Sequence, residues 1–231
     1  MTLELGGKGP QVLLDDADLD RAIPDIVAAA FRNSGQACIA GTRLLVSRRR
    51  QAEVTARLAE AVADLRAGPS SDPQAGVGPM VSAKQWERVQ SYIRLGQDEG
   101  ATLLVGGPGR PRDLDRGWFV RPTVFTDVTN DMRIAREEIF GPVLSVIAYE
   151  DEAEAITIAN DTDYGLQSYV HGSDLEHARD VARHLEAGRV VVNETPADGP
   201  APFGGFKHSG IGREFGPFGL EAFLEPKAVV G

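Results

Sequence analysis

The sequence predicts an α/β fold: a largely parallel sheet flanked by helices, followed by a C-terminal loop and a terminal strand. Three observations predict it. Short apolar runs such as RLLVS at 43–47 and VLSVIAY at 143–149 have strand character. Between such runs lie longer segments whose apolar residues recur at helical spacing, and this alternation is the pattern of parallel strands joined by helical crossovers. Clusters of Gly, Pro, Asn and Asp separate the segments, with no internal repeat and no long disordered linker.

In chain order, residues 11–14 form a short apolar strand after the Gly6-Gly7 turn, and Asp15-Asp16 supplies helix-start chemistry. Residues 18–32 carry Leu19, Ile23, Ile26, Val27 and Ala30 at helical spacing, with Pro24 near the first turns, and stop at Asn33-Ser34-Gly35. A strand at 43–47 and a helix at 51–65, ended by Gly68-Pro69, come next. A helix at 81–99 closes at Gly100, and a strand at 102–105 leads into the Gly/Pro/Arg turn region 106–116. Strands at 118–126 and 143–149 flank EEIFGP. A helix at 152–160, a strand at 166–170, a helix at 175–186 and a strand at 189–192 complete an α/β unit over residues 1–193. Residues 194–231 form a second unit packed on the first: the Gly/Pro/Phe-rich loop APFGGFKHSGIGREFGPFG and a terminal apolar strand at 220–230. A loop this long in a compact chain is more often functional than decorative.

The 231 residues suffice for a sizeable core, and 42% hydrophobic with 25% charged residues is ordinary for a soluble globular chain. A formal charge of −10 argues against a nucleic-acid surface, which needs a basic face. The exception, Arg48-Arg49-Arg50, is read as a solvated turn. There is no apolar run near membrane-span length and no basic-then-apolar leader pattern, so a cytoplasmic protein is expected. One cysteine without histidines at ligand spacing removes the usual zinc frameworks, and no metal site is expected. Two glycine-rich stretches resemble phosphate loops superficially. GGPGRPRD lacks the Gly-Lys-Ser/Thr ending, and the Gly210-Ile211-Gly212 stretch has no strand leading directly into it.

The candidate for chemistry is the stretch FRNSGQACIAGTR, which holds the only cysteine, Cys38. Free cysteine is commonly a small buried hydrophobe, and that alternative stands beside the nucleophilic one. A nucleophilic thiol needs a partner base. All four histidines, His171, His177, His184 and His208, lie in the last third of the chain, and the other candidate base is the carboxylate of Glu4. Because Cys38 follows a helix C-terminus, the helix dipole does not favour its thiolate. The flanking Ala37 and Ile39 suggest an apolar substrate pocket.

Five stretches in one order, LELGGK, FRNSGQACIAGTR, EEIFGPV, NDTDYGL and PFGGFKHSGIGREFG, resemble the catalytic domain of the aldehyde dehydrogenase superfamily. The likeness runs from residue 2 to about residue 230. It implies an aldehyde-dehydrogenase-like catalytic fold and oxidation of a small aldehyde to a carboxylic acid through a cysteine thioester, with NAD or NADP as cofactor. By the same likeness Cys38 matches the nucleophile and Glu4 the base. Glu138 and Phe140 match positions that hold the nicotinamide ribose and ring. Leu5 and Gly6 match its backbone neighbours, Gln85 a contact on the adenosine side, and Phe203 a wall of the aldehyde pocket.

The chain departs from the family by starting where the catalytic domain starts, so most of the cofactor site is absent from it. The resemblance therefore implies the catalytic half of an NAD(P)-dependent aldehyde dehydrogenase, completed by a separate dinucleotide-binding chain and assembled as a homo-oligomer. Two alternatives remain open: a slow cysteine esterase, which needs no hydride acceptor, and a degenerate binding or assembly module.

Overall fold

Helix starts follow the caps that the sequence supplies. In the computed structural model, which describes residues 1–193 and 199–231, strands β1 (Leu3–Glu4) and β2 (Pro10–Leu13) precede helix α1 (Leu19–Phe31). The α1 cap is Asp18, whose carboxylate accepts from Asp20 N at 3.0 Å. Asp15, one of the acids expected to start the helix, instead accepts from Ser47 and pairs with Arg49. The turn carrying the arginine triplet is thus only partly solvated, because Arg50 donates to the carbonyls of Asp15 and Ala17 at 2.8 and 2.9 Å.

A 3₁₀ turn (Arg32–Gly35) and strand β3 (Arg43–Ser47) are followed by α2 (Gln51–Ala63) and α3 (Ala83–Asp98), the latter capped by Ser82. Next come β4 (Thr102–Val105), β5 (Thr123–Thr126), the short α4 (Arg133–Arg136) and β6 (Val143–Tyr149). Helix α5 (Glu152–Asn160) is capped by Asp151. It is followed by β7 (Tyr164–Gly165), β8 (Gln167–His171), α6 (Leu175–Arg183) with its Asp174 cap, and β9 (Arg189–Val192).

Seven strands form one sheet in the order β4-β5-β6-β3-β2-β8-β9, with every neighbouring pair parallel except β4 with β5. Strands buried on both faces explain the near-continuous apolar runs. On one face Leu44, Val46, Leu144 and Val146 pack against Ile23 and Ile26 of α1 and Val54 and Leu58 of α2. On the other, Val12, Leu45, Ile147 and Val170 pack against Ile93 of α3, Ala155 of α5 and Ala178 of α6.

Two expectations are corrected, the strands over 118–126 and 220–230. The strand expected over 118–126 begins only at Thr123. Pro122 has no N–H for a ladder, and the Trp118 and Phe119 carbonyls accept from Met80 N and Trp86 Nε1 instead. The terminal strand expected over 220–230 is not formed. Gly216–Glu221 is a short helix, α7, opened by Pro217, and among the described residues those after it pair with no strand, Phe223, Val229 and Val230 being exposed. The C-terminal loop is not structureless, although its expected start at Glu194 lies outside the described residues. It contains β10 (Phe206–Lys207), which pairs with β7, and β11 (Gly210–Ile211), which pairs with β1.

Arg43 ties this framework together from inside, being fully buried on β3. Its guanidinium donates to Lys8 O (3.1 Å), Asn130 Oδ1 (2.8 Å), Ile158 O (3.1 Å) and Ala159 O (2.8 Å), joining the approach to β2 with the end of α5. Arg43→Ala strands three of those carbonyls in the interior and is expected to cost about 3–5 kcal/mol of unfolding free energy. Urea titration reads the loss as a lower midpoint. Arg43→Lys recovers only part of it, because an ammonium cannot reproduce the planar fork of donors.

Candidate active site

Parallel pairing places the starts of β2, β3, β6 and β8 along one edge of the sheet, and the sequence-predicted site residues gather there. Glu4, Leu5 and Gly6 precede β2, Ala37, Cys38 and Ile39 precede β3, and Glu138 and Phe140 precede β6. The first two segments meet backbone to backbone. A Cβ on Gly7 would lie 2.2 Å from the Cys38 carbonyl oxygen, so only glycine permits the approach.

The cysteine loop is bent into place by left-handed backbone at Asn33, Ser34 and Gly35 (φ 48°, 61° and 71°). Asn33 Nδ2 donates to Gln36 O at 2.9 Å, Ser34 Oγ accepts from Gly78 N at 2.8 Å, and Gln36 Oε1 accepts from Val81 N at 2.9 Å. Gly35 passes close to the Gly141 carbonyl, which brings the Phe140 turn against the loop. Cys38 is half-buried, with Ala37 and Ile39 partly buried beside it.

Burial pushes the Cys38 thiol above its ordinary range. The backbone N–H groups of Cys38 and Ile39 pull it down, while the charges of Glu138 and Glu4 push it further up. The group is accordingly a neutral thiol near pH 7 and needs a base to become a nucleophile. Glu4 lies within electrostatic reach of it, held by the pairing of β1 with β11 rather than frayed at the chain start. Both its carboxylate oxygens are buried without a hydrogen-bond partner. Burial and the neighbouring Glu214 raise its pKa, against a lowering by Arg213. A carboxylate raised in this way is suited to taking a proton near neutral pH.

Glu138 Oε1 accepts from Gly7 N at 2.9 Å, and a Cβ on Gly6 would lie 2.6 Å from its Oε2. Phe140 has left-handed backbone (φ 58°) and is partly buried. Gln85 Nε2 donates to Ile139 O (3.0 Å) and Phe140 O (2.7 Å), so its amide holds the turn that presents Phe140. Leu5 is exposed, and its N–H donates to Ser209 O at 3.0 Å. Phe203 is bridged to Glu214, the residue whose charge acts on Glu4, and its ring lies 6.2 Å from that of Phe215. Among the described residues no group of three or more His, Cys, Asp or Glu is placed to hold a metal ion, and no helix is long and apolar enough to cross a membrane.

Sequence reasoning missed three residues here. Lys8 was visible only as the last letter of LELGGK, yet its ammonium nitrogen is fully buried with no hydrogen-bond partner. Arg213 and Glu214, from the C-terminal loop, tune Glu4, and their long separation in sequence gave no local clue.

Comparison with known proteins follows this geometry. The model of the aldehyde dehydrogenase family matches residues 1–229. A putative aldehyde dehydrogenase of Staphylococcus aureus is 50% identical over the whole of this chain, which covers 49% of that protein. Among solved structures, aldehyde dehydrogenase C of Pseudomonas syringae, a cysteine-to-alanine mutant complexed with NAD+ and octanal, is similar with a TM-score of 0.96 and 51% identity, over 99% of this chain and 47% of that one. An NAD+ complex of a Mycobacterium tuberculosis aldehyde dehydrogenase follows with a TM-score of 0.94 and 49% identity, over 96% of this chain and 46% of that one. The chain thus spans about half the length of the relatives it matches.

Lys8 makes the site's folding pH-dependent. Burial, then the Arg43 charge, lowers its pKa from 10.5 to about 7, against opposing influences from Glu138 and Glu137. Between those values the unfolded chain holds a proton that the folded chain does not, so unfolding takes one up and stability rises with pH. Denaturant titrations from pH 7 to about pH 9 are expected to show that rise, and Lys8→Met is expected to flatten it.

Proposed function

The chain belongs to the aldehyde dehydrogenase family, and from that premise we propose that it is the catalytic part of an NAD- or NADP-dependent enzyme that oxidises an aldehyde to a carboxylic acid. The observation that carries this is the buried, unpartnered carboxylate of Glu4 within reach of the Cys38 thiol at one edge of the sheet.

The residues present fit the nicotinamide end of the cofactor. The Gly6–Gly7 backbone and the Glu138 carboxylate form a polar shelf beside the cysteine loop. Glu138, Phe140, Leu5 and Gly6 would hold that end. The adenosine end finds little here, since the Gln85 amide is occupied by two carbonyls, and a separate dinucleotide-binding segment or chain is the partner this reading calls for. When bound, the cofactor supplies the hydride acceptor.

The chain's own residues account for the rest. Glu4 takes the proton of the Cys38 thiol, and the thiolate adds to the aldehyde carbon; in this reading the Cys38 N–H, released from the sulfur, donates to the oxygen that becomes charged. Once the carbon is at the acyl level, Cys38 carries a thioester. Glu4, having released the first proton to solvent, then removes a proton from the water that attacks the carbonyl. The C–S bond breaks, the departing thiolate takes that proton back from Glu4, and the carboxylic acid leaves with the thiol restored. Phe203, Ala37 and Ile39 are the apolar candidates for lining the aldehyde site. The exposed Phe215, Phe218, Phe223 and Leu224 support an oligomer, since apolar surface of this kind is commonly covered by a second subunit.

Joined with the dinucleotide-binding half of a relative, the chain is expected to form reduced nicotinamide from a medium-chain aldehyde such as octanal, followed by absorbance. No reduced cofactor from a demonstrably formed complex, with any aldehyde tried, sinks the proposal.

A second reading, ester hydrolysis by the chain alone, is favoured by the half-exposed thiol, because acylation of Cys38 needs no hydride acceptor. An activated nitrophenyl ester is expected to give a product burst that Cys38→Ala abolishes. Glu4→Gln is expected to slow both the burst and the later turnover, by about a hundredfold or more, since the same carboxylate deprotonates thiol and water. An undiminished burst from Cys38→Ala removes this reading.

A further inference from the structure

The loop carrying Cys38 is fastened from behind by side chains of β8 and β2. Gln167, Tyr169 and His171 alternate along β8 and so project from one face of the strand. The Tyr169 hydroxyl donates to Ile39 O at 2.7 Å, across 130 residues of sequence. Gln167 Nε2 donates to that hydroxyl at 2.6 Å and thereby commits the phenolic proton to the Ile39 carbonyl. Two residues on, Gly41 O accepts from Gln11 Nε2 at 2.7 Å. Gln11 also donates to Ile26 O, so its Oε1 is the acceptor facing His171 Nε2 at 3.1 Å. The Tyr169 ring packs so closely that a Cβ on Gly41 would lie 3.0 Å from it.

Ile39 is not a bystander in this arrangement. Its backbone N–H is one of two that act on the Cys38 sulfur, and its carbonyl is the group Tyr169 holds. We propose that Tyr169 is a positioning residue for the nucleophile: its hydroxyl, oriented by Gln167, fixes Ile39 so that the Ile39 N–H stays directed at the Cys38 sulfur. Removing the hydroxyl leaves the part-buried Ile39 O without that donor and free to seek another, and rotation about the Ile39 backbone dihedrals then carries its N–H, which lies in the preceding peptide unit, away from the sulfur. The thiolate then loses a donor that opposes both burial and the Glu138 and Glu4 charges. The proposal rests on Cys38 being the reacting group, but not on the reaction it performs.

Because the chain has one cysteine, the pH dependence of its alkylation by iodoacetamide reports on that sulfur alone. Tyr169→Phe is expected to move the profile to higher pH by about half a unit, seen as roughly threefold slower alkylation at pH 7. Tyr149→Phe is the matched control. It also removes a hydroxyl that donates to a backbone carbonyl, Leu13 O at 2.7 Å, in a buried tyrosine that faces a different part of the chain. An upward shift in Tyr169→Phe with a Tyr149→Phe profile matching wild type supports the proposal. A Tyr169→Phe profile superimposable on wild type overturns it, as does an equal shift in both variants, which reports general loosening. If circular dichroism shows that Tyr169→Phe does not fold, Gln167→Met takes its place, since it frees the hydroxyl to reorient. A smaller upward shift then supports the proposal, and an unmoved profile overturns it. Absence of hydride transfer or ester hydrolysis would leave this readout intact, so the two failures are distinguishable.

Discussion

The approach of Gly7 to the Cys38 carbonyl is the constraint on which the site depends. Two peptide backbones pass at a separation that no side chain tolerates, and that contact brings the segment bearing Glu4 against the loop bearing Cys38. The parallel pairing of β2 with β3 then fixes their relative height. In open parallel sheets the usual place for a ligand is the crevice at the carboxyl ends of the strands. Here the chemistry-bearing residues collect at the amino ends. The loops entering β2, β3 and β6 are therefore the ones that the proposed function uses, and helices α1 and α2 cover one face of the sheet behind them.

That edge is crowded with carboxylates: Glu4, Glu137, Glu138 and Glu214. The interior answers with two buried cations. Arg43 satisfies itself with three carbonyls and an amide oxygen, and burial with the nearby Arg136 still lowers its pKa to about 10. Lys8 has no such partners and sits near its titration point at neutral pH. Burying an ammonium without hydrogen bonds opposes folding, so its position is set by the strand it precedes and not by stability. Its charge partly balances the carboxylates that act on the thiol, which makes the local field sensitive to a single proton.

The sheet was legible in the sequence because strands buried on both faces must be apolar throughout. RLLVS and VLSVIAY therefore announce themselves, and helix boundaries fell within a few residues wherever an Asp or Ser cap marked the start. What was not legible shares one cause, partners far away in the chain. Nothing near Trp118 indicates that its carbonyl is taken by Met80 N. Nothing within 220–230 reveals that a strand there lacks a neighbour. Cys38 was singled out as the lone thiol and Glu4 as a candidate base, and motif likeness joined them; Arg213 and Glu214 lie within a motif stretch in which nothing local points to Glu4, and Tyr169 lies outside every such stretch.

The electrostatics of Cys38 bear on how such a site manages a reactive group. Many reactive cysteines are held as thiolates by cations or a helix N-terminus. Cys38 has neither: it follows a helix end, and the charged groups acting on it are Glu138 and Glu4. Only two backbone N–H groups oppose them. A thiol in that setting stays protonated and resists adventitious oxidation and alkylation, both of which require the thiolate. Reactivity then has to be produced when substrate arrives, by a base whose own pKa has been raised toward that of the thiol. Glu4 meets the requirement because burial and Glu214 act on it in the same direction. Raising Glu4 narrows the gap across which the proton moves, whereas raising the thiol widens it and keeps the resting sulfur uncharged. The same carboxylate, once the sulfur is acylated, faces no competing thiolate and can turn to water. In the proposed mechanism one group thus serves two proton transfers.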